Sequence, residues 1–200
     1  MNASRVFVDA NILVYAQQPS ETVKQAVALE CIDRLGSEKR GRTSVQVLNE
    51  CYSALTQKLR PQIPRPDAWT YVCRFHMWEP RAVDVEMARR AREIQERYGL
   101  NWWDCLIVAA AQLQNCAVLL TEDLDEQGSY GGVKICNPFK LAMCADDSPL
   151  AEFAAFAASL TSPVERTRPV PLSHRQRRTS PSRSRGTCVP WARSGSGGIH

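Results

Sequence analysis

Histidine is nearly missing from this chain. Three occur in 200 residues, and His76 is the only one before His174, so a zinc site built from imidazole and thiolate has little to draw on. Cysteine is present, at positions 31, 51, 73, 105, 116, 136, 144 and 188, but never as C-x-x-C. Scattered through helix-like and strand-like segments, these residues read as buried reduced thiols rather than a disulfide framework. Long apolar runs are lacking too. The longest, Cys105-Leu106-Ile107-Val108-Ala109-Ala110-Ala111, falls far short of the ~20 residues that cross a bilayer. Asp9 and Asn11 interrupt the only early apolar stretch, which removes the layout of a secretory leader. The expectation is a cytoplasmic protein with no membrane partner.

What is there divides the chain unequally. Hydrophobic residues make up 44% of it, enough for a real core. Residues 161–200 hold eight arginines, no lysine and one acid, Glu165, a net +7, leaving 17 bases against 20 acids in the first 160 residues. The formal charge of +4 therefore belongs to the tail, and the body is mildly acidic. The division expected is a folded domain over 1–145, a terminal helix over 146–160, and an Arg/Ser/Pro-rich tail over 161–200 that is disordered for want of periodic apolar residues.

Within the body, hydrophobic runs alternate with helical periodicity. Arg5-Val6-Phe7-Val8 reads as a buried strand leading into a helix or turn at Asn11–Tyr15. A helix is predicted from Thr22 to Leu35 with Gly36 as its stop, then a short strand at 41–43. Thr43 and Gln46 form a T-x-x-Q capping box for the helix that carries Glu50. Pro61 to Pro66 is a loop and Asp67 to Phe75 a helix. Met87, Ala91, Ile94 and Tyr98 mark a helix between Asp84 and Gly99, and Asn101 caps the next. Cys116–Leu120 and Gly132–Cys136 complete the strands. This alternation predicts an α/β fold with an open, mostly parallel sheet covered by helices on both faces. In such sheets ligands sit beyond the carboxyl ends of the strands.

Four acids occupy that setting. Asp9 follows Val6-Phe7-Val8, Asp123 follows Leu119-Leu120-Thr121-Glu122, and predicted helices carry Glu50 and Asp104. Each has a plain structural reading when taken singly. Asp9 caps a helix, Asp104 complements a helix dipole, Glu50 is a solvated charge, and Asp123 is a turn acid. Taken jointly, carboxylates beside core segments are costly unless something neutralises them, and a divalent cation is the simplest neutraliser. Hard Mg²⁺ or Mn²⁺ suits an all-oxygen donor set.

In order along the chain stand V-F-V-D-A-N-I-L-V-Y, V-L-N-E-C-Y, L-N-W-W-D-C-L-I-V-A-A-A, L-L-T-E-D-L and I-C-N-P-F. Over roughly residues 4–140 this series resembles the PIN-domain family, and within it the VapC-type toxin ribonucleases of bacterial toxin–antitoxin systems. The resemblance implies a PIN-like three-layer fold and a Mg²⁺- or Mn²⁺-dependent endoribonuclease. It implies catalytic acids at Asp9, Glu50, Asp104 and Asp123, of which Asp9, Asp104 and Asp123 hold metal, with Asn11 and Thr121 in support. It further implies an RNA substrate, a cognate antitoxin and a homodimer. Arg40, Arg42, Lys58 and Arg60, with Lys39, flank the Glu50 helix and are read as a basic rim for phosphates. Trp102 and Trp103 read as core or groove-wall residues.

Two rival readings are kept. A catalytically inactive PIN-like module that only binds RNA or a partner shares the fold. A phosphatase of the haloacid dehalogenase type also begins with a strand ending in Asp, but wants a second Asp two residues on, where this chain has Asn11. The segregation of charge generates a test. A chain ended at Leu160 is expected to fold and to keep its cleavage-site choice, with weaker RNA affinity at low salt only. Melting curves and cleavage maps of the two lengths check this, and an unfolded or inactive shorter chain would move the domain boundary.

Overall fold

The computed structural model describes residues 4–125 and 128–143; the helix expected at 146–160 and the tail at 161–200 lie outside them. The chain opens with β1, Arg5–Val8, turns at Asp9 into α1, Ala10–Tyr15, and continues as α2, Thr22–Ser37. After β2, Gly41–Arg42, comes α3, Val45–Ser53, prolonged by a π-helical turn at Ala54–Lys58. Next are α4, Arg65–Cys73, with a 3-10 turn at Arg74–Trp78, then α5, Val85–Tyr98, and α6, Trp102–Leu113. The chain then forms β3, Cys116–Leu120, β4, Ser129–Tyr130, β5, Val133–Cys136, and α7, Pro138–Met143.

The five strands lie in the order β2-β1-β3-β5-β4, with β1 parallel to β2 and β3, β5 parallel to β3, and β4 antiparallel at the edge. Successive side chains on a strand point to opposite faces. Yet Val6, Phe7 and Val8 are all buried, as are Val118, Leu119 and Leu120, so both faces of the sheet are covered. That explains why the central strands read as unbroken apolar runs. Helix α6 packs on α5, β3 and β5; Ala109, Ala110 and Ala111 are fully buried, small enough to let backbones approach closely. The α/β expectation holds.

Local signals differ in instructive ways. Gly36 does not stop α2, which runs on to Ser37; the chain turns instead at Lys39, whose φ of 56° is left-handed. Thr43 is not the cap of α3. Ser44 is, its hydroxyl accepting from Val47 N, while Thr43 Oγ1 donates to the Val8 carbonyl and so ties β2 to β1. Helix α4 begins two residues before Asp67, with Pro66 in its first turn, where a missing N–H costs nothing. Gly132 belongs to a turn rather than to β5. Gly131 and Gly132 both take positive φ, as a two-residue hairpin requires, and this joins β5 to the unforeseen β4.

The six described cysteines form no disulfide with one another, and five are buried; burial pushes the Cys51 and Cys116 thiols up to about 12, which makes them packing residues.

Gly41 and Gly36 separate two meanings of glycine. A Cβ at Gly41 would stand 2.5 Å from the Trp78 indole, whereas one at Gly36 meets nothing within 4 Å. Gly41→Ala is expected to destabilise by about 1–3 kcal/mol through overpacking, and Gly36→Ala to stabilise by roughly 0.5–1 kcal/mol, the helical gain of alanine. Urea unfolding of both variants checks the opposite signs.

Candidate active site

The sheet places its ligand end by extending each ladder one residue past the strand. Asp9 N donates to the Leu120 carbonyl at 3.1 Å, and Thr121 N to that of Cys136 at 3.0 Å. Asp9 and Thr121 are thereby fixed side by side at the carboxyl ends of β1 and β3. Asp9 also caps α1, its Oδ1 accepting from Ala10 N at 2.6 Å. The structural and the chemical readings of Asp9 thus use different oxygens of one group.

Its other oxygen enters a polar knot. Thr121 Oγ1 donates to Asp9 Oδ2 at 2.7 Å and accepts from Asp123 N and from Asn11 Nδ2, both at 3.1 Å. One donor and two lone pairs are all a hydroxyl has, so Thr121 is fully used. Asn11 Nδ2 also reaches Asp9 Oδ2 at 3.3 Å and Asp123 Oδ2 at 3.0 Å. Two amide hydrogens serve three acceptors and hold two carboxylates together. Asn11 Oδ1 is buried with no partner, an acceptor with its capacity unspent.

Glu50 and Asp104 come from α3 and α6. Gln46, one turn before Glu50, donates Nε2 to Glu50 Oε1 at 2.9 Å and to the Trp103 carbonyl at 3.5 Å, linking the two helices. Asn101 caps α6 by accepting from Asp104 N at 3.0 Å, and its Nδ2 donates back to Asp104 Oδ2. Asp104 thus lies in the first turn of α6 with its carboxylate held by its own cap.

Electrostatics ties the four together. Burial lifts the Asp9 pKa from 3.8 to about 7; the Thr121 and Ala10 hydrogen bonds oppose this, and the charges of Asp123 and Glu50 add to it. Asp104 is also raised, by burial and then by Asp123, with Asn101 opposing and Glu50 adding. Both acids feel the same two neighbours. Even so, among the described residues no three His, Cys, Asp or Glu side chains are gathered as a ready-made metal site. The donor chemistry nevertheless fits Mg²⁺ or Mn²⁺, because Mg²⁺ keeps several waters and is commonly held by one or two carboxylates. The repulsion around Asp9 is what a cation would relieve.

A groove of about 530 Å³ opens beside the acids, lined by Asn11, Tyr15, Asn49, Glu50, Lys58 and Glu122 among others. Lys24 is drawn to the same region, donating to Glu122 Oε2 at 2.7 Å and to the Tyr15 hydroxyl at 2.8 Å. Of the predicted basic rim, only Lys58 lines this groove. Arg60 is exposed and donates to the carbonyls of Gln57 and Leu59. Arg40 and Arg42 are corrected in their setting. They are buried, Arg40 just ahead of β2 and Arg42 its last residue, with side chains gathered near Ser4, Arg5 and Asn115, where Arg40 meets Glu38 and the Ser4 carbonyl and Arg42 the Gly41 carbonyl and Glu79. Lys39 and both arginines line a separate pocket there.

The PIN domain family model matches residues 6–129, well over half of the chain. The chain belongs to the PIN domain family. PIN domains are generally nucleases. Among curated proteins, none matches. Six chains of known structure do. One, from the crystal structure of VapBC2 from Rickettsia felis bound to a DNA fragment from their promoter, is 17% identical, covers 66% of this chain and 97% of that chain, and has a TM-score of 0.45. So slight a likeness carries no argument.

Sequence reasoning on this PIN domain passed over Gln46 as an orienting group, Asn101 beyond its capping role, and Lys24. The i, i+4 spacing of Gln46 and Glu50 was the available signal for the first. Lys24 offered none, since its partner Glu122 is distant in sequence.

The strained charge of Asp9 predicts a pH dependence. Folded Asp9 holds its proton up to about pH 7, whereas the unfolded chain releases it near 4. The folded state binds the extra proton in between, so metal-free stability falls as pH rises through that window and levels off above it. The fall is on the order of 4 kcal/mol for this one group, with Asp104 adding in the same sense. Melting in EDTA from pH 5 to 8 is expected to show it. Asp9→Asn should flatten the slope, and Mg²⁺ at pH 8 should recover stability in the wild type only. An unchanged slope in the variant would mean Asp9 is not the group.

Proposed function

We propose that this PIN domain is a metal-dependent endoribonuclease and the toxin of a toxin–antitoxin pair. One observation supports the nuclease reading above the others: Asp9, Asn11, Thr121 and Asp123 share one hydrogen-bonded knot, and Asp9 and Asp104 both feel the charges of Asp123 and Glu50. Asp9, Asp104 and Asp123 would hold Mg²⁺ or Mn²⁺. Such an ion, when bound, acidifies water and offsets charge on phosphodiester oxygens.

The chain's own residues supply the rest. Thr121 and Asn11 fix the direction of the Asp9 and Asp123 carboxylates, and the unspent Asn11 Oδ1 accepts a hydrogen bond from water entering the site. Glu50, held by Gln46, would orient the attacking water and take its proton. Lys58, exposed on the groove wall, meets substrate phosphate in an otherwise acidic body. The toxin assignment, with its antitoxin partner, homodimer and cytoplasmic location, rests on the order and spacing of the five motifs.

The inactive-module reading draws on the absence of a ready-made three-ligand cluster among the described residues. The phosphatase reading loses ground, because Asn11 acts as an amide clamp on two carboxylates and has no proton to donate as an acid.

Activity decides among them. Purified protein with Mg²⁺ or Mn²⁺ is expected to cleave RNA and to stop in EDTA. Asp9→Asn and Asp104→Asn should each lower the rate by at least about a hundredfold, the scale of losing one major electrostatic element of a catalytic site, while remaining folded by circular dichroism. Cleavage that persists in chelator, or in both variants, would remove the mechanism.

A further inference from the structure

A second groove lies on the other side of Glu50. It measures about 490 Å³ and is lined by Gln46, Asn49, Glu50, Val83 and Trp103. Trp103 is 62% exposed and Val83 51%, a large flat ring and an aliphatic side chain left open to solvent beside a carboxylate. Trp102, its neighbour in α6, is half-buried and packs against the core. Only the second tryptophan is displayed.

Gln46 makes this more than an apolar dent. It is 7% exposed, and its Nε2 is committed to Glu50 Oε1 and the Trp103 carbonyl. A carboxylate and a carbonyl can only accept, so the amide must turn its N–H to them, which leaves Oε1 as the free function. That oxygen is buried and has no partner, a state that ordinarily destabilises a protein unless something completes it. Asn49, exposed on the same wall, adds a donor and an acceptor.

We propose that this groove is a subsite for one unstacked nucleobase of a single-stranded RNA, next to the bond that is cut; this rests on the nuclease reading. The base stacks on the Trp103 indole and presents a donor edge to Gln46 Oε1. A single strand offers a free π-face that a duplex does not, and stacking tolerates any base. The lone acceptor adds a bias. Amino groups of adenine, cytosine and guanine offer it an unobstructed donor, whereas the uracil N–H lies between two carbonyls that an acceptor repels. Gln46 therefore couples two tasks, orienting Glu50 through one end of its amide and reading the neighbouring base through the other.

The test measures binding of fluorescein-labelled single-stranded RNA in EDTA by anisotropy, apart from cleavage. Trp103→Ala is expected to weaken binding about tenfold, the scale of one base–aromatic stack, and Trp103→Phe to stay within about twofold. The Trp103→Ala loss should vanish on an abasic ribose-phosphate oligomer. Gln46→Met should bring amino-bearing oligomers down towards oligouridine. With Mn²⁺, Trp103→Ala should raise KM more than it lowers kcat. Wild-type affinity in Trp103→Ala, as a face reserved for a protein partner would give, overturns the subsite; so does a Phe variant no better than Ala, or a loss that persists on the abasic oligomer. Should the wild type still cleave RNA with Mn²⁺ in any of these cases, only the subsite falls. If the wild type neither binds nor cleaves RNA, the nuclease reading falls and the subsite with it.

Discussion

A carboxylate buried at the end of the central strand is the constraint around which this molecule is arranged. Asp9 sits beside Leu120 and Thr121, loses most of its hydration, and has Asp123 and Glu50 as electrostatic neighbours. An isolated buried charge of that kind would normally be replaced or neutralised. Here the fold keeps it and surrounds it with donors: Ala10 N on one oxygen, Thr121 and Asn11 on the other. These bonds oppose the desolvation without cancelling it, which is why the proton is held to about pH 7. The residual strain is an electrostatic demand that a bound cation would relieve.

Parallel strands make that demand local. In a parallel sheet every strand ends at the same edge, so residues far apart in sequence, Asp9 and Thr121 among them, meet without any loop of their own design. Helices that start at that edge add their caps. Asp9, Ser44 and Asn101 each cap a helix that begins near it, and the cap at Asn101 aims the very carboxylate it stabilises. Helix initiation and site construction are therefore the same event at two positions, and a purely structural account of Asp9 or Asp104 does not compete with a chemical one.

How much of this was legible in the sequence follows from the range of the interactions. β1 and β3 were readable because strands covered on both faces are continuously apolar, and α5 because Asp84 and Gly99 bracket a regular stripe. β4 has two residues, too few for any pattern, and only its glycine turn betrays it. The cap of α3 was misplaced by one residue because Thr43 and Ser44 carry the same hydroxyl. Only the sheet decides that Thr43 answers Val8 and leaves Ser44 to the helix. The acids stood out singly, but their convergence depends on strand register, and the Lys24–Glu122 pair on a tertiary contact that no local spacing encodes. Arg40 and Arg42 illustrate the opposite error. Basic residues near a functional helix look like a phosphate rim until burial shows them holding the other end of the sheet.

That relocation alters how a polyanion must be received. With the two arginines removed from the rim and Lys24 bound to Glu122, the groove beside the acids retains Lys58 as its exposed base, against Glu50 and Glu122 on its walls. Coulomb attraction from the side chains lining the groove is then too weak to hold phosphate there, since exposed single charges in water contribute about 1 kcal/mol or less. Affinity must come from elsewhere. On the proposed reading, charge offset at the carboxylates would supply it at the bond to be cut, and uncharged contacts to bases would supply it alongside, where an exposed indole beside Glu50 is worth more than another lysine. On that reading an acidic body suits the enzyme, because general affinity for duplex phosphate would hold it on nucleic acid it does not cleave.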